Sequence, residues 1–187
     1  MDLILVALSG IFLFLPALVP NSAAVLFGGG TPVDFGRTWR GKRILGDGKT
    51  WTGLIGGVAA GTSLGIILVL ITMGLDVQAP LNWGEGLEAL GVVFALSLGS
   101  LLGDMVGAFI KRRLGMERGH KAPILDQYDF VAGALGLTAL LFPAWVASRY
   151  VSGESIIALI ALLVFVPVLH RVVNIIGFKM GKKKEPW

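Results

Sequence analysis

Charged side chains are concentrated in one short part of this chain, residues 104–129. The segment contains four acids and five bases between two long apolar stretches. Charged groups at membrane depth are costly unless they pair, bind ions or line a wet cavity. The segment is therefore predicted to form a polar site at one face of a membrane.

Two spacings within this segment place charged groups on a common side of a helix. Asp104 and Lys111 lie at i and i+7, so a carboxylate and an ammonium follow one helical stripe. Asp126 and Asp129 are three residues apart at the start of the next apolar stretch and can face the same way.

Converging carboxylates beside bases are typical of a Mg²⁺–phosphate site. The hard oxygen ligands hold the metal while the phosphates of a substrate complete its shell. The alternative is that Asp126 only caps the following helix and Asp129 pairs with a nearby arginine.

A second polar segment, residues 21–52, carries five bases and two glycine-rich stretches, residues 28–32 and 46–50. Both stretches can expose backbone N–H groups to an anion. Residues 46–50 do not form a Walker A loop, because Arg43 stands where that motif requires glycine and no strand is predicted before it. They are predicted to form a basic, phosphate-facing loop, with a flexible surface turn as the alternative.

The composition indicates an integral membrane protein. The 187 residues are 55% hydrophobic and the mean hydropathy is +0.79, which is too apolar for a soluble domain. The absence of cysteine excludes disulfides and cysteine-based metal sites.

Five apolar stretches are predicted to cross the membrane as helices, within one all-α domain over residues 1–187. They are residues 3–20, 53–75, 87–103, 130–148 and 155–178. The first is interpreted as a span rather than a signal peptide because only Asp2, and no base, precedes it. The third helix is expected to continue past Asp104 to about Arg113. Residues 21–52 are expected to form loop and surface helix.

Glycines recur every four residues along two of these predicted helices, a spacing that favours close helix packing. The stripes are formed by Gly53, Gly57, Gly61 and Gly65, and by Gly99, Gly103 and Gly107. Such stripes could pack within one chain or between copies, so a homo-oligomer is left open.

The distribution of Lys and Arg predicts the orientation in the cell membrane. Of the sixteen, all but Arg149 lie in residues 21–52, in residues 104–129 or at the last helix end. The positive-inside rule then places both polar segments and the C-terminus in the cytoplasm and the N-terminus outside. The two polar segments share one face and can form a single cytoplasmic active site.

Several motifs in the same chain order resemble the archaeal CDP-archaeol synthase family. They are residues 28–34 (Gly-Gly-Gly-Thr-Pro-Val-Asp), residues 41–52 with Gly-Asp-Gly-Lys-Thr-Trp, residues 109–113 with Lys-Arg-Arg, and residues 125–130 with Asp-Gln-Tyr-Asp. The Lys-Arg pair and the Asp-x-x-Asp ending also match the related CDP-diacylglycerol synthases. A Lys-Asp pair of that wider signature is missing here, and Gln127 stands in place of its arginine.

The resemblance implies a membrane cytidylyltransferase that joins CTP to 2,3-di-O-geranylgeranylglyceryl phosphate with Mg²⁺, giving CDP-archaeol and pyrophosphate. No nucleic-acid partner is implied. The expected metal ligands are Asp104, Asp126 and Asp129, and the expected catalytic groups are Lys111, Arg112 and Asp126. The residues expected to position nucleotide or phosphate are Asn21, Arg43, Gly46, Asp47, Gly48, Lys49, Thr50 and Arg118.

Two other classes of function remain as alternatives. A small cation transporter or channel would use intramembrane carboxylates as an ion path. A noncatalytic lipid-binding scaffold would have no need for the paired carboxylates. The clustering of the acids at one face favours the enzyme.

Overall fold

The computed structural model is mostly helical and describes residues 2–116, 120 and 122–179. In chain order the elements are α1 (Leu3–Leu13), α2 (Leu15–Phe27), β1 (Thr38–Trp39), β2 (Lys42–Arg43), α3 (Trp51–Gly74), α4 (Gly86–Arg113), α5 (Pro123–Leu141), α6 (Pro143–Val146), a π-helical turn (Ala147–Val151), a 3₁₀ turn (Gly153–Ser155) and α7 (Ile156–Lys179).

The helices of the described residues include four that are long and apolar enough to cross a membrane. These are Leu3–Phe27, which joins α1 and α2, and then α3, α4 and α5. A fifth crossing is present if Pro143–Val151 and Gly153–Leu169, which meet at a bend of 78°, count as one span. The structure therefore confirms a mostly helical protein with four to five candidate membrane spans.

The first helix differs from the prediction that it ends at residue 20. It continues to Phe27 with Pro20 inside it, so residues 21–27 are helix rather than loop. The break lies earlier, at Phe14, just before Pro16, since a proline lacks the N–H group that would continue the helical ladder. At Pro20 the missing N–H leaves the Pro16 carbonyl without its helical donor, and the Ser97 hydroxyl of α4 donates to it at 3.2 Å.

The fourth predicted span, residues 130–148, is wrong at both ends. Helix α5 starts at Pro123, a residue type suited to the first helical turn, and it ends at Leu141 before Pro143. Asp126 and Asp129 therefore lie inside a helix, not ahead of one. The expected continuation of the third helix is confirmed, because α4 runs through Asp104 to Arg113.

The glycine stripes of the described helices pack within the chain. Gly57 and Gly61 face the Pro20 and Pro16 carbonyls of α2, and Gly99 faces the backbone of Gly133 in α5. These contacts let α2, α3, α4 and α5 approach closely. The stripes consequently give no support for an oligomer.

Two buried aromatic side chains bond the segments that precede α4 and α7 to α1. The Trp83 indole N–H donates to the Leu13 carbonyl at 3.0 Å, and the Tyr150 hydroxyl donates to the Gly10 carbonyl at 2.8 Å. Both rings lie in the hydrophobic core, where these two bonds satisfy the indole N–H and the phenol hydroxyl.

The segment between α2 and α3 contains a short hairpin where loop and surface helix were expected. Thr38 pairs with Arg43 and Trp39 with Lys42, in antiparallel register. Arg40 and Gly41 at its turn have φ of 52° and 74°, the left-handed pair that tight two-residue hairpins require. The hairpin packs against the C-terminal end of α4, and this contact forms one side of the site.

Candidate active site

A cleft of about 640 Å³ lies between the hairpin, the second glycine-rich loop and the end of α4. Its polar lining has five bases and one acid, which are Lys42, Arg43, Lys49, Lys111, Arg112 and Asp47. The two segments predicted to share a site do meet here. An excess of positive charge in a partly enclosed cleft suits a multiply charged anion such as a triphosphate.

The two glycine-rich stretches run side by side, as an isolated antiparallel bridge between Pro32 and Thr50 shows. The Thr50 hydroxyl accepts from the backbone N–H groups of Gly53 and Gly29, each at 3.2 Å. Thr50 thus caps the N-terminus of α3 and fixes the loop that precedes it.

Asp34 is the buried anchor of this loop. Its carboxylate accepts from Arg43 Nη2 at 2.8 Å and from the N–H groups of Gly36, Leu45 and Gly46 at 2.9 to 3.0 Å. Burial opposes its ionisation, but the Arg43 guanidinium and the three N–H groups outweigh this and hold the pKa of Asp34 well below its usual range. Sequence reasoning quoted Asp34 within a motif without assigning it a role.

Arg43 joins this anchor to the cleft. Its guanidinium also donates to Asp47 Oδ1 at 2.6 Å, so it bridges a buried carboxylate and an exposed one. Gly46, next to it, has φ of 99°, a backbone conformation that favours glycine. Arg43, Gly46, Asp47 and Gly48 all line the cleft.

Two lysines that line the cleft form ion pairs with predicted metal ligands. Lys49 pairs with Asp104 and Lys111 pairs with Asp126. The second oxygen of Asp126 accepts from the backbone N–H of Ala122 at 3.0 Å. Asp126 is therefore not the N-cap of α5, as the alternative supposed: the N-cap is Ala122, and Asp126 bonds back to it from within the helix.

Asp129 faces α4 across the tight α4–α5 contact. Its Oδ1 accepts from its neighbour's N–H, that of Phe130, at 2.7 Å. Its Oδ2 packs against Gly107, where a Cβ would overlap it. The charges of Asp104, Lys111 and Lys49 act on this carboxylate.

The three predicted metal ligands thus lie on two packed helices. Within residues 2–116, 120 and 122–179, no group of three or more His, Cys, Asp or Glu is close enough to hold a metal ion. An ion pair between Asp129 and an arginine, the alternative considered for it, is likewise not found in that part of the chain.

The last two bases of the Lys-Arg-Arg run have different partners. Arg112 donates to the Met116 carbonyl and lines the cleft. Arg113 donates to the carbonyls of Trp39, Lys42 and Arg43, and its guanidinium lies 5.1 Å from the Trp39 ring centroid.

Arg113 therefore fastens the hairpin to α4, a role that sequence reasoning missed. Trp39 stacks on Phe109 at 5.8 Å between ring centroids, which completes the attachment. The sequence held one signal for this contact: Arg113 and Trp39 had no assigned role and lay in the two segments predicted to meet.

Not every residue expected at the nucleotide site lines the cleft. Thr50 caps α3 and borders a smaller opening between the helices. Asn21 does not line the cleft; its amide donates to the Ser100 hydroxyl at 3.3 Å, and it borders the same smaller opening. Arg118 lies outside the described residues.

Comparison with known proteins assigns the chain to a family. The family model described as "CarS-like: CDP-archaeol synthase" matches residues 1–187. The chain belongs to the CDP-archaeol synthase family. The resemblance carried by its glycine-rich and Lys-Arg-Arg motifs is thereby confirmed.

Similarity to individual CDP-archaeol synthases extends over almost the whole chain. The protein of that name from Methanospirillum hungatei is 48% identical over 92% of this chain and 99% of its own length. That from Halobacterium salinarum is 41% identical over the full length of both.

A solved structure shows the same fold. It is described as an intramembrane enzyme for archaeal membrane lipids biosynthesis, with 37% identity, a TM-score of 0.69, and coverage of 90% of this chain and 94% of that one. Together with the apolar helices, this establishes a multi-pass membrane protein. The comparisons provide no support for the transporter alternative.

Proposed function

We propose that this protein is a membrane cytidylyltransferase that makes CDP-archaeol and pyrophosphate from CTP and 2,3-di-O-geranylgeranylglyceryl phosphate. The observation that carries the proposal is a family match over all 187 residues in a chain whose two motif-bearing segments enclose one basic cleft. Lipid-phosphate cytidylyl transfer needs a site of this kind at the edge of a membrane.

The reaction is a displacement at phosphorus. An oxygen of the lipid phosphate forms a bond to the α-phosphorus of CTP, and the bond from that phosphorus to the bridging oxygen of the β-phosphate breaks. Pyrophosphate leaves with the bonding electron pair. The attacking oxygen is already anionic near neutral pH, so no strong general base is needed.

The protein's task is to bring two anions together and to stabilise the leaving pyrophosphate. Lys111 and Arg112 on α4 and Lys49 on the loop face the cleft, and we assign to them the neutralisation of triphosphate charge. Gly46, Gly48 and the Asp34-anchored backbone keep the loop in shape around the nucleotide's phosphates.

The chemistry of the donor set suits Mg²⁺, since Asp104, Asp126 and Asp129 offer only hard carboxylate oxygens, but these three are not grouped closely enough in the described residues to hold the ion by themselves. We assign the metal to these three residues, with substrate phosphates as further ligands. When bound, Mg²⁺ would supply charge neutralisation on the triphosphate. Lys49 and Lys111 hold two of the carboxylates beside the cleft through their ion pairs.

We further propose that the cleft faces the cytoplasm, where CTP is made, with the N-terminus outside. The positive-inside rule supports this orientation, because both cleft-forming segments are rich in Lys and Arg.

A turnover assay tests the proposed function. Purified protein in detergent receives labelled CTP, Mg²⁺ and the prenyl-ether glyceryl phosphate, and we expect CDP-lipid and pyrophosphate in equal amounts. Omitting the lipid phosphate should abolish pyrophosphate release, and EDTA should abolish both products. Folded protein that forms no CDP-lipid under these conditions would refute the proposal.

A variant pair tests the metal assignment within the same assay. Asp126→Asn should lose most activity even at saturating Mg²⁺, whereas Glu154→Gln, in the 3₁₀ turn before α7, should not. Near wild-type activity of Asp126→Asn would remove that residue from the metal site.

A further inference from the structure

A second, smaller opening lies between α2, α3 and α4 beside the basic cleft. Its volume is about 90 Å³. One side is polar, with Asn21, Lys49 and Asp104, and the other is apolar, with Val25, Leu54 and Leu101. We call it the lateral groove. Its two kinds of wall suit an amphiphile with an anionic head.

The lateral groove belongs to the membrane-spanning part of the molecule. Asn21 and Val25 lie in the first candidate span, Leu54 in the second and Leu101 in the third. Val25 is 75% exposed on this surface, which within a membrane means contact with lipid chains. A molecule in the bilayer can reach the groove without crossing the water phase.

The groove and the cleft share a wall. Gly48 and Lys49 line both openings. The Lys49–Asp104 ion pair therefore lies between a water-facing cleft and a bilayer-facing groove.

We propose that the lateral groove binds the phosphate end of the lipid acceptor, with the phosphate at Asn21 and Lys49 and the first chain carbons against Val25 and Leu54. This inference rests on the proposed function. It assigns Asn21 to the lipid and not to the nucleotide, because Asn21 lines the lateral groove and does not line the cleft.

Size and charge support this occupant. Sites for nucleotide-sized ligands are typically about 300–1,000 Å³, so the groove is too small for CTP while the cleft is not. A headgroup fits, and its long chains remain in the bilayer. The Asn21 amide and the Lys49 ammonium supply donors for an anion, and the Ser100 hydroxyl holds the Asn21 side chain in place. The Asp104 carboxylate also lines the groove, and its charge is offset by its ion pair with Lys49.

The experiment uses two adjacent positions on α3. Leu54 lines the lateral groove, whereas Ile55 is 65% exposed and does not line it. Leu54→Trp should raise the KM for the lipid phosphate about tenfold, the equivalent of about 1.4 kcal/mol. The KM for CTP should stay within about twofold, because the cleft does not include Leu54. Ile55→Trp should change neither value.

A second variant guards against a folding defect at Leu54. Val25 is on the lipid-facing surface, so Val25→Trp should fold and should also raise the lipid KM selectively. Equal effects of Leu54→Trp and Ile55→Trp, or a rise in the CTP KM alone, would overturn the assignment.

A binding measurement separates this inference from the proposed function. The prenyl-ether glyceryl phosphate is titrated into wild type and Leu54→Trp in detergent, with inorganic phosphate as the comparison ligand. Wild type should bind the lipid phosphate and Leu54→Trp should bind it more weakly, whether or not turnover occurs. Unchanged binding in the variant refutes the groove assignment, whereas binding without turnover refutes only the cytidylyltransferase.

Discussion

Individual charged residues around the cleft divide into two groups by their contacts. Asp34 and Arg43 bond mainly to the loop itself and keep its shape. Lys111 and Arg112 lie on the cleft wall, where they can meet a substrate. Substitutions in the first group should affect stability and substrate affinity, and substitutions in the second should affect the rate.

Lys111→Ala should lower kcat/KM at least about 10²-fold, since removal of a preorganised charge at a site of phosphoryl chemistry typically costs about 2.7 kcal/mol or more. The measurement is CDP-lipid formation, and the matched control is Lys179→Ala at the end of α7. A loss below about threefold would exclude Lys111 from the active site.

Asp34→Asn should lower the unfolding free energy by about 2 kcal/mol at neutral pH, since the variant loses bonds to a charged group. The folded-state pKa of Asp34 lies below its ordinary value of 3.8, so the ionised form favours the folded state. That contribution is complete well above pH 3.8 and is lost as the pH falls towards the folded-state pKa.

Thermal unfolding in detergent from pH 7 down to pH 3 checks this pH dependence. The stability difference between wild type and Asp34→Asn should be constant near neutrality and should shrink below about pH 4. A difference that grows on acidification would contradict it.

Two element contacts set the geometry of the site. The hairpin is held against α4 by Arg113, and α4 is held against α5 by glycines that leave room for Asp129. The first contact positions the hairpin side of the cleft, and the second positions the carboxylates of α4 and α5 relative to the lysines. Each can be disturbed by one substitution outside the cleft lining.

Arg113→Lys should raise the KM for CTP several-fold and leave kcat less affected. A lysine cannot reproduce the planar guanidinium that donates to three carbonyls and stacks on Trp39. Limited trypsin digestion should show faster cleavage in the hairpin, whereas Arg37→Lys should behave like wild type. A loss of kcat alone would instead indicate direct contact with the reacting groups.

Gly103→Ala should destabilise the protein by about 1–3 kcal/mol, because the added methyl group would overlap the Asp129 backbone. Gly136→Ala is the control, since no atom outside its own helix lies within 4 Å of the added group. It should be neutral or slightly stabilising, because alanine favours helix. Thermal unfolding distinguishes the two, and equal melting would show that the α4–α5 contact relaxes freely.

The whole molecule is organised by its membrane. Residues 28–50 and the C-terminal end of α4 lie together at one end of the helices. Ser152 lies in the turn before α7, which the proposed topology places on the opposite side of the membrane. In the proposed topology one side of the membrane is therefore basic and the other is nearly free of Lys and Arg.

Because the chain has no cysteine, single cysteines can report its orientation. Ser152→Cys should react with a membrane-impermeant maleimide in intact cells, and Thr38→Cys should react only after permeabilisation. Both positions are exposed, so a difference in labelling reports the side of the membrane. The reverse pattern would invert the proposed topology.

The sequence by itself determined the features that depend on local composition. Long apolar stretches, the four-residue glycine spacing and the family motifs were all readable from it, since each is a property of neighbouring residues. The extension of α4 to Arg113 and the meeting of the two polar segments were also predicted correctly.

Only the tertiary structure showed which residues of distant segments bond to one another. Arg113 meets the Trp39 carbonyl across 74 positions of sequence, and Lys49 meets Asp104 across 55. No local pattern encodes such pairs, since they arise only when the helices pack. The same packing allowed the first helix to pass Pro20 and separated Asn21 from the basic cleft. Spans and motifs follow from local chemistry, whereas the division of the site into a cleft and a lateral groove follows from how the helices fit together.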